Sequence, residues 1–179
     1  MEDENGDVNP DIIDREKHDS DEEYWFSLWC RDAADAGILE KWGHHPRPLI
    51  LSEVAKHTVP KQLKTKIRYD ERTLLQGAHY TADHIIKTKY TNNLWNGLVA
   101  SPDGLFWIDV KPSFSKFNDA KYFSLVRKWV YDKHGIYINK LIPQKFFAKT
   151  FCPEELRFGK SGKELKKWIG CPTLEDYLD

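Results

Sequence analysis

The sequence predicts a mixed α/β fold, a central sheet flanked by helices in the order helix, strand, strand, strand, helix, strand. Three observations carry this reading. A capping-box signature, Ser20 with Glu23 three residues on, opens an amphipathic stretch that closes at Gly37. Two apolar runs, Ala78–Ile86 and Leu105–Lys111, are parted by the turn Ser101-Pro102-Asp103-Gly104. A second helical stripe then leads into the run Ile136–Ile142, which Pro143 stops. Strands in series, followed by one helix and one more strand, suit a layered mixed sheet better than the regular alternation of a doubly wound fold.

The first helix is expected from Asp21 to Ala36, with Gly37 at C′. Trp25, Leu28, Trp29, Asp32 and Ala36 recur at helical spacing beside a second stripe of Glu23, Phe26, Cys30 and Ala33. So wide an apolar arc has to pack on a sheet. Leu49-Ile50-Leu51, after Pro46-Arg47-Pro48, reads as a short strand. Residues 52–75 are polar and hold Lys56, Lys61, Lys64, Lys66, Arg68 and Arg72; an irregular excursion with one weak strand or helix is expected there. A helix over 118–133 puts Tyr122, Leu125, Val126, Trp129 and Val130 on one face and ends at His134-Gly135. Weak helical pieces around 154–156 and 163–169 complete the chain.

The 179 residues make about one domain. With 40% hydrophobic and 31% charged residues and a mean hydropathy of −0.65, the chain is neither wholly disordered nor built to span a bilayer. No apolar run approaches the ~20 residues a spanning helix needs. The acidic N-terminus has neither a basic n-region nor an apolar h-region, so no signal peptide is expected. Cys30, Cys152 and Cys171 are odd in number and far apart. That gives no disulfide framework and suits a reducing cytoplasm.

The net charge of −1 hides a split. Residues 1–23 carry eleven acidic and two basic side chains, and the rest of the chain is +8. An acidic arm (1–18, expected to be disordered) thus precedes a basic core (19–150) and a C-terminal extension (151–179) packed on or near that core. Such asymmetry accompanies nucleic-acid binding, and also occurs as a solvated tail on a lysine-rich surface.

Alternation along 105–111 puts Asp109 and Lys111 on one face of a buried strand. Alone, the pair reads as a structural ion pair at a sheet edge. Asp83 on a second strand and Glu23 on the first helix change the reading, because carboxylates from adjacent elements make a Mg²⁺ site. A lysine beside such an ion can stabilise charge growing on an attacked phosphate.

The array Ser20-x-x-Glu23, Tyr80-Thr81-Ala82-Asp83 and Ile108-Asp109-Val110-Lys111-Pro112 resembles the PD-(D/E)XK nuclease superfamily over roughly residues 20–145. Within it, the likeness is to small phage endonucleases and TnsA-type transposon endonucleases. The resemblance implies a restriction-endonuclease-like core and a Mg²⁺-dependent DNA endonuclease, with Mn²⁺ able to substitute. It implies a phage-encoded enzyme of recombination, genome processing or host-DNA breakdown, acting in the host cytoplasm. By position, Glu23, Asp83 and Asp109 would be the acidic metal-site residues, Lys111 the catalytic lysine, and the Val110 carbonyl a further metal ligand. Glu22 stands beside Glu23 as an alternative. Ala82 replaces the usual Pro, His84 the usual Phe, and Asp109 the commoner Glu.

Other signals point less sharply. His44-His45 has no third ligand at suitable spacing and reads as a surface turn before Pro46. His79 and His84 flank Asp83, as proton-transfer partners or as polar strand neighbours. Gly159-Lys160-Ser161 lacks the glycine spacing of a P-loop. DNA is the expected partner, with a homodimer where both strands are to be cut. The alternative function is a non-catalytic DNA-binding accessory protein on the same scaffold. A third is a protein-interaction module whose acidic arm mimics DNA.

Overall fold

The computed structural model describes residues 13–89, 94–113 and 117–179. Its first helix, α1 (Asp21–Asp35), begins and ends on side chains and backbone angles legible in the sequence. The Ser20 oxygen accepts from the Glu23 amide at 3.2 Å, and the Ser20 hydroxyl donates to Glu23 Oε1 at 2.9 Å. At the far end Gly37 takes a φ of +73°. The amides of Gly37 and Ile38 then reach the carbonyls of Ala34 and Ala33, a Schellman closure. Residues 13–18, read as part of a disordered arm, instead form a 3-10 turn over Arg15–Lys17, and His18 bonds to Ser27 on α1. The rest of the arm, 1–12, lies outside the described residues.

The strands are β1 (Leu39–His44), β2 (Leu49–Ser52), β3 (Ala55–Gln62), β4 (Ile67–Leu75), β5 (Ala78–Tyr80), β6 (His84–Thr88), β7 (Leu94–Trp95), β8 (Leu98–Val99), β9 (Phe106–Val110) and β10 (Ile138–Leu141). Helix α2 (Phe117–His134) links β9 to β10. Three short helices follow: α3 (Pro143–Phe147), α4 (Glu154–Arg157) and α5 (Leu174–Leu178). Strands β1, β6, β9 and β10 form the main sheet in that order; β1–β6 and β6–β9 are antiparallel and β9–β10 is parallel. A parallel neighbour needs a crossover, and α2 supplies it. The fold is therefore mixed α/β, and its main-sheet order with α1 and α2 is helix, three strands, helix, strand.

Every residue of β9 is buried, as a strand covered on both faces must be. On one face Phe106, Ile108 and Val110 meet Phe26, Trp29 and Cys30 of α1, with Phe146, Phe147, Phe151 and Trp168 closing the same core. The C-terminal extension is thus part of the layer that covers α1. On the other face Trp107 packs with Val126 and Val130 of α2 and with Leu51.

Four expectations need correction. The first strand of the main sheet is β1, not residues 49–51; β2 pairs with β5 in a separate two-stranded sheet. The run Ala78–Ile86 is not one strand but two, because the chain changes sheets over Thr81-Ala82-Asp83. Residues 52–75 form a regular antiparallel ribbon, β3–β4, paired from Ala55–Leu75 to Gln62–Ile67. Helix α2 also turns differently. Its inward stripe is Val126 and Val130, both buried, with Phe123 partly buried beside them, while Tyr122, Leu125 and Trp129 face outward.

Candidate active site

The change of sheet at Asp83 creates the site. The β6–β9 ladder runs through His84–Ile108, so the next step sets Asp83 opposite Asp109. Asp83 N–H still reaches the Ile108 carbonyl at 3.0 Å. The next ladder donor, Val110 N–H, goes instead to the Asp83 carboxylate, at 2.6 Å from Oδ2. The backbone pairing ends on a side chain, and the chain upstream is released into β5.

Two carboxylates opposite each other repel. Burial, then Asp109, then Glu23 push the Asp83 carboxyl up to about 7, against the pull of Lys111 and the Val110 amide. Asp109 is buried at the centre of the cluster. Tyr80 O–H donates to its Oδ1 at 2.8 Å. Lys111 Nζ lies 2.6 Å from its Oδ2 as an ion-pair contact, although that oxygen has no aligned hydrogen bond. Burial disfavours the Lys111 ammonium, but Asp109, with Asp83 and Glu23 behind it, holds its pKa above the ordinary lysine value. Tyr80 is raised as well, by burial and then by Asp109.

Glu23 enters from the opposite face of the sheet. It is the buried member of the Glu22–Glu23 pair. Its Oε1 is held by Ser20, and its Oε2 points to the end of β1, 3.9 Å from His44 Nε2 and 3.7 Å from His45 Nε2. Burial acts to raise the Glu23 carboxyl, but His44, Ser20 and His45 outweigh it and hold it below the ordinary glutamate value.

The structure thus joins Asp83 to the Val110 amide and Lys111 to Asp109, with the Asp83 and Asp109 carboxylates close enough to repel. Glu23 adds to their field, while its free oxygen faces histidines. Among the described residues, the metal-competent groups whose ligand atoms lie within 4.8 Å of one another are Glu23–His44–His45 and His18–His44–His84. His44-His45 is therefore not a surface turn without a third ligand; the third ligand comes from α1. His79 pairs with Ile50 in the β2–β5 sheet. His84 is fully buried, bonds to Ser27 at 2.8 Å through Nε2 and leaves Nδ1 without a partner. Burial and then His44, His18 and His45 lower its pKa far below the usual imidazole value.

Asp83 and Asp109 offer the oxygen chemistry of a hard divalent ion, although they and Glu23 are not among the groups whose ligand atoms lie within 4.8 Å of one another. Asp83, Asp109 and Glu23 bring more negative charge than the one Lys111 ammonium balances. Asp109 Oδ2 and Glu23 Oε2 are buried acceptors with no aligned donor, and carboxylate oxygens of this kind are what Mg²⁺ and Mn²⁺ take.

Sequence reading missed Tyr80, which positions Asp109, and the inward turn of His44 and His45. Tyr80 had a signal in its place three residues before Asp83. The histidines had none, because Glu23 is remote in sequence. A groove of about 1330 Å³ lies elsewhere, between α2 and the loop after β8, lined by Pro102, Leu125, Trp129 and Tyr137. None of the carboxylates lines it. No helix among the described residues is long and apolar enough to cross a membrane. A comparison with protein-family models, with curated proteins and with solved structures finds no match.

Proposed function

We propose that the protein is a divalent-metal-dependent DNA endonuclease on a restriction-endonuclease-like core, of the PD-(D/E)XK kind. The observation that carries this reading is the pair of buried carboxylates Asp83 and Asp109 at the end of the β6–β9 ladder, Asp83 accepting from the Val110 amide and Asp109 in contact with Lys111. The main-sheet order α1, β1, β6, β9, α2, β10 supports it. The residues that would hold Mg²⁺ or Mn²⁺ are Asp83, Asp109 and the Val110 carbonyl; Glu23, turned to the histidines, would add negative charge to the site without being a ligand. When bound, the ion lowers the pKa of a coordinated water and neutralises charge on the phosphate.

The chain's own residues do the rest. Tyr80 fixes Asp109. Lys111, kept protonated by its carboxylate neighbours, supports the charge that develops on the attacked phosphate. Asp83, raised to about 7 without an ion, would give up its proton when it binds one, because a nearby cation favours the charged carboxylate. The products would be a 5′-phosphate and a 3′-hydroxyl.

The β3–β4 ribbon suits the substrate. Residues 55–75 carry six basic side chains against two acidic ones, and nearly all of them are exposed on both faces. Lys56 is paired with Glu71 and Arg68 with Asp70, so Lys61, Lys64, Lys66 and Arg72 carry the excess positive charge. A two-stranded ribbon of this kind fits the major groove, and its lysines suit phosphates.

The test is incubation of supercoiled plasmid and a branched duplex with the protein and Mg²⁺ or Mn²⁺, beside an EDTA control. Metal-dependent nicking or linearisation supports the reading. A second reading, a DNA-binding accessory protein, rests on the protein partners that Asp83 and Asp109 already have in Val110, Tyr80 and Lys111. Retarded but uncut DNA on both substrates would favour it.

A further inference from the structure

We propose that Glu23, His44 and His45 form a binding site for a transition-metal dication of the Zn²⁺ class, distinct in chemistry from the all-oxygen set around Asp83 and Asp109. Three atoms converge: Glu23 Oε2, His44 Nε2 and His45 Nε2, with the carboxylate oxygen 3.9 and 3.7 Å from the two nitrogens. Bonds of about 2.0–2.1 Å to a tetrahedral ion put ligand atoms about 3.3 Å apart, so the two carboxylate–imidazole separations need to close by only about half an ångström, with all three atoms already within 4.8 Å of one another. At 3.7–3.9 Å the same atoms are too far apart to hydrogen-bond with one another.

Two of the three atoms are buried and unpartnered. Glu23 Oε2 and His44 Nε2 have no hydrogen-bond partner, on side chains only 9% and 11% exposed. Leaving such atoms unpaired is costly, and an ion supplies the missing partner to both at once. His45 is 39% exposed and leaves a route in from solvent. Adjacent strand residues ordinarily point to opposite faces. Here the strand ends at His44, and His45 has a φ of +46°. The two rings stack at 3.8 Å and present both Nε2 atoms to α1.

An outer shell is in place. The Ser20 hydroxyl fixes Glu23 through Oε1, as carboxylate ligands are usually fixed. His44 is held between the rings of His45 and His18, at 3.8 and 4.3 Å. The neighbouring His18–His44–His84 group is a poorer site. His18 Nδ1 donates to the Asp14 carbonyl at 2.8 Å, and its Nε2 lies 2.7 Å from Ser27 Oγ. His84 Nε2 is taken by the same hydroxyl. Two imidazoles and one carboxylate favour Zn²⁺, Co²⁺ or Ni²⁺ over Mg²⁺, with a fourth position left for water or an incoming ligand.

The experiment is a titration of tag-free, chelator-stripped protein with Co²⁺, read by its visible absorption, and with Zn²⁺, read by calorimetry. One equivalent is expected to bind. His45→Ala and Glu23→Gln should each weaken binding by about 100-fold or more, beyond what outer-shell partners are worth, and Asp109→Ala should leave it unchanged. Because His45 is partly exposed, His45→Ala is expected to fold, and circular dichroism checks this. No binding by the wild type, or equal binding by wild type and His45→Ala, overturns the proposal. So does binding kept in His45→Ala but lost in His44→Ala, which moves the ion to the His18–His44–His84 group. The readout uses no DNA, so failure here and failure of the nuclease reading are separate results.

Discussion

Tyr80 and Asp109 are joined by a 2.8 Å hydrogen bond between two different sheets. Tyr80 closes the short strand β5, paired with β2, while Asp109 lies in the central strand of the main sheet. The bond spans the point where the chain leaves one sheet for the other, and it leaves Asp109 Oδ2 to Lys111. Tyr80→Phe removes one donor to a buried carboxylate. The expected cost is about 2 kcal/mol, the range for hydrogen bonds to charged groups. It is read as a lower urea midpoint at unchanged slope; an unchanged midpoint would show that the bond contributes nothing.

Asp83 gives the fold a pH dependence of defined sign. Its carboxyl is raised to about 7 in the folded chain, against about 3.9 when unfolded. The folded state therefore binds the extra proton. This stabilisation is full below the unfolded value, falls as pH rises through the interval, and is gone above about 7. His84, whose pKa burial lowers, acts oppositely and loses its share as pH falls below about 6.5. The difference between wild type and Asp83→Asn, measured in chelator, isolates the carboxyl. Relative to the variant, wild type should lose stability steadily from pH 4 to 7. A flat difference contradicts the raised carboxyl.

Ser20 serves the helix and the carboxylate together. Ser20→Ala should cost about 1 kcal/mol as a lost N-cap. It should also weaken Zn²⁺ binding by about 10–100-fold by freeing Glu23 Oε1. Thermal unfolding and the Co²⁺ titration read the two effects separately. A stability loss with unchanged metal affinity would leave Ser20 a cap only.

The β3–β4 ribbon is exposed, so reversing Lys61, Lys64 and Lys66 to Glu should change stability little. If the three lysines contact phosphates, the slope of log affinity against log salt should flatten by about 0.9 per lost contact, or about 2–3 in all. Fluorescence anisotropy with a labelled duplex measures it, and an unchanged slope would remove the ribbon from the DNA interface.

What the sequence disclosed and what it hid follow from locality. Helix α1 was legible from Ser20 to Gly37 because its cap and stop are local hydrogen-bonding devices. Strand β9 was legible because it is buried on both faces and therefore apolar at every position but Asp109. The ribbon was not, since a strand exposed on both faces has no apolar alternation to read. Strand β1 is short and interrupted by Glu40, Lys41 and Gly43, and its place in the sheet comes from β6. The break at Thr81-Ala82-Asp83 is a tertiary event, made when Asp83 captures the Val110 amide. Asp109 and Lys111 were placed together by strand alternation, and Asp83 joined them through the motif order that resembles the PD-(D/E)XK superfamily. The side of Glu23 that meets the histidines depends on how α1 packs, which no local pattern encodes.

The central claim is tested most directly by measuring Mg²⁺-dependent cleavage of supercoiled plasmid by the wild type, Asp109→Ala and Lys111→Ala, each shown to be folded by circular dichroism. The account expects cleavage by the wild type that EDTA abolishes and both variants lack. Cleavage retained by both variants would remove Asp109 and Lys111 from the chemistry and contradict the account.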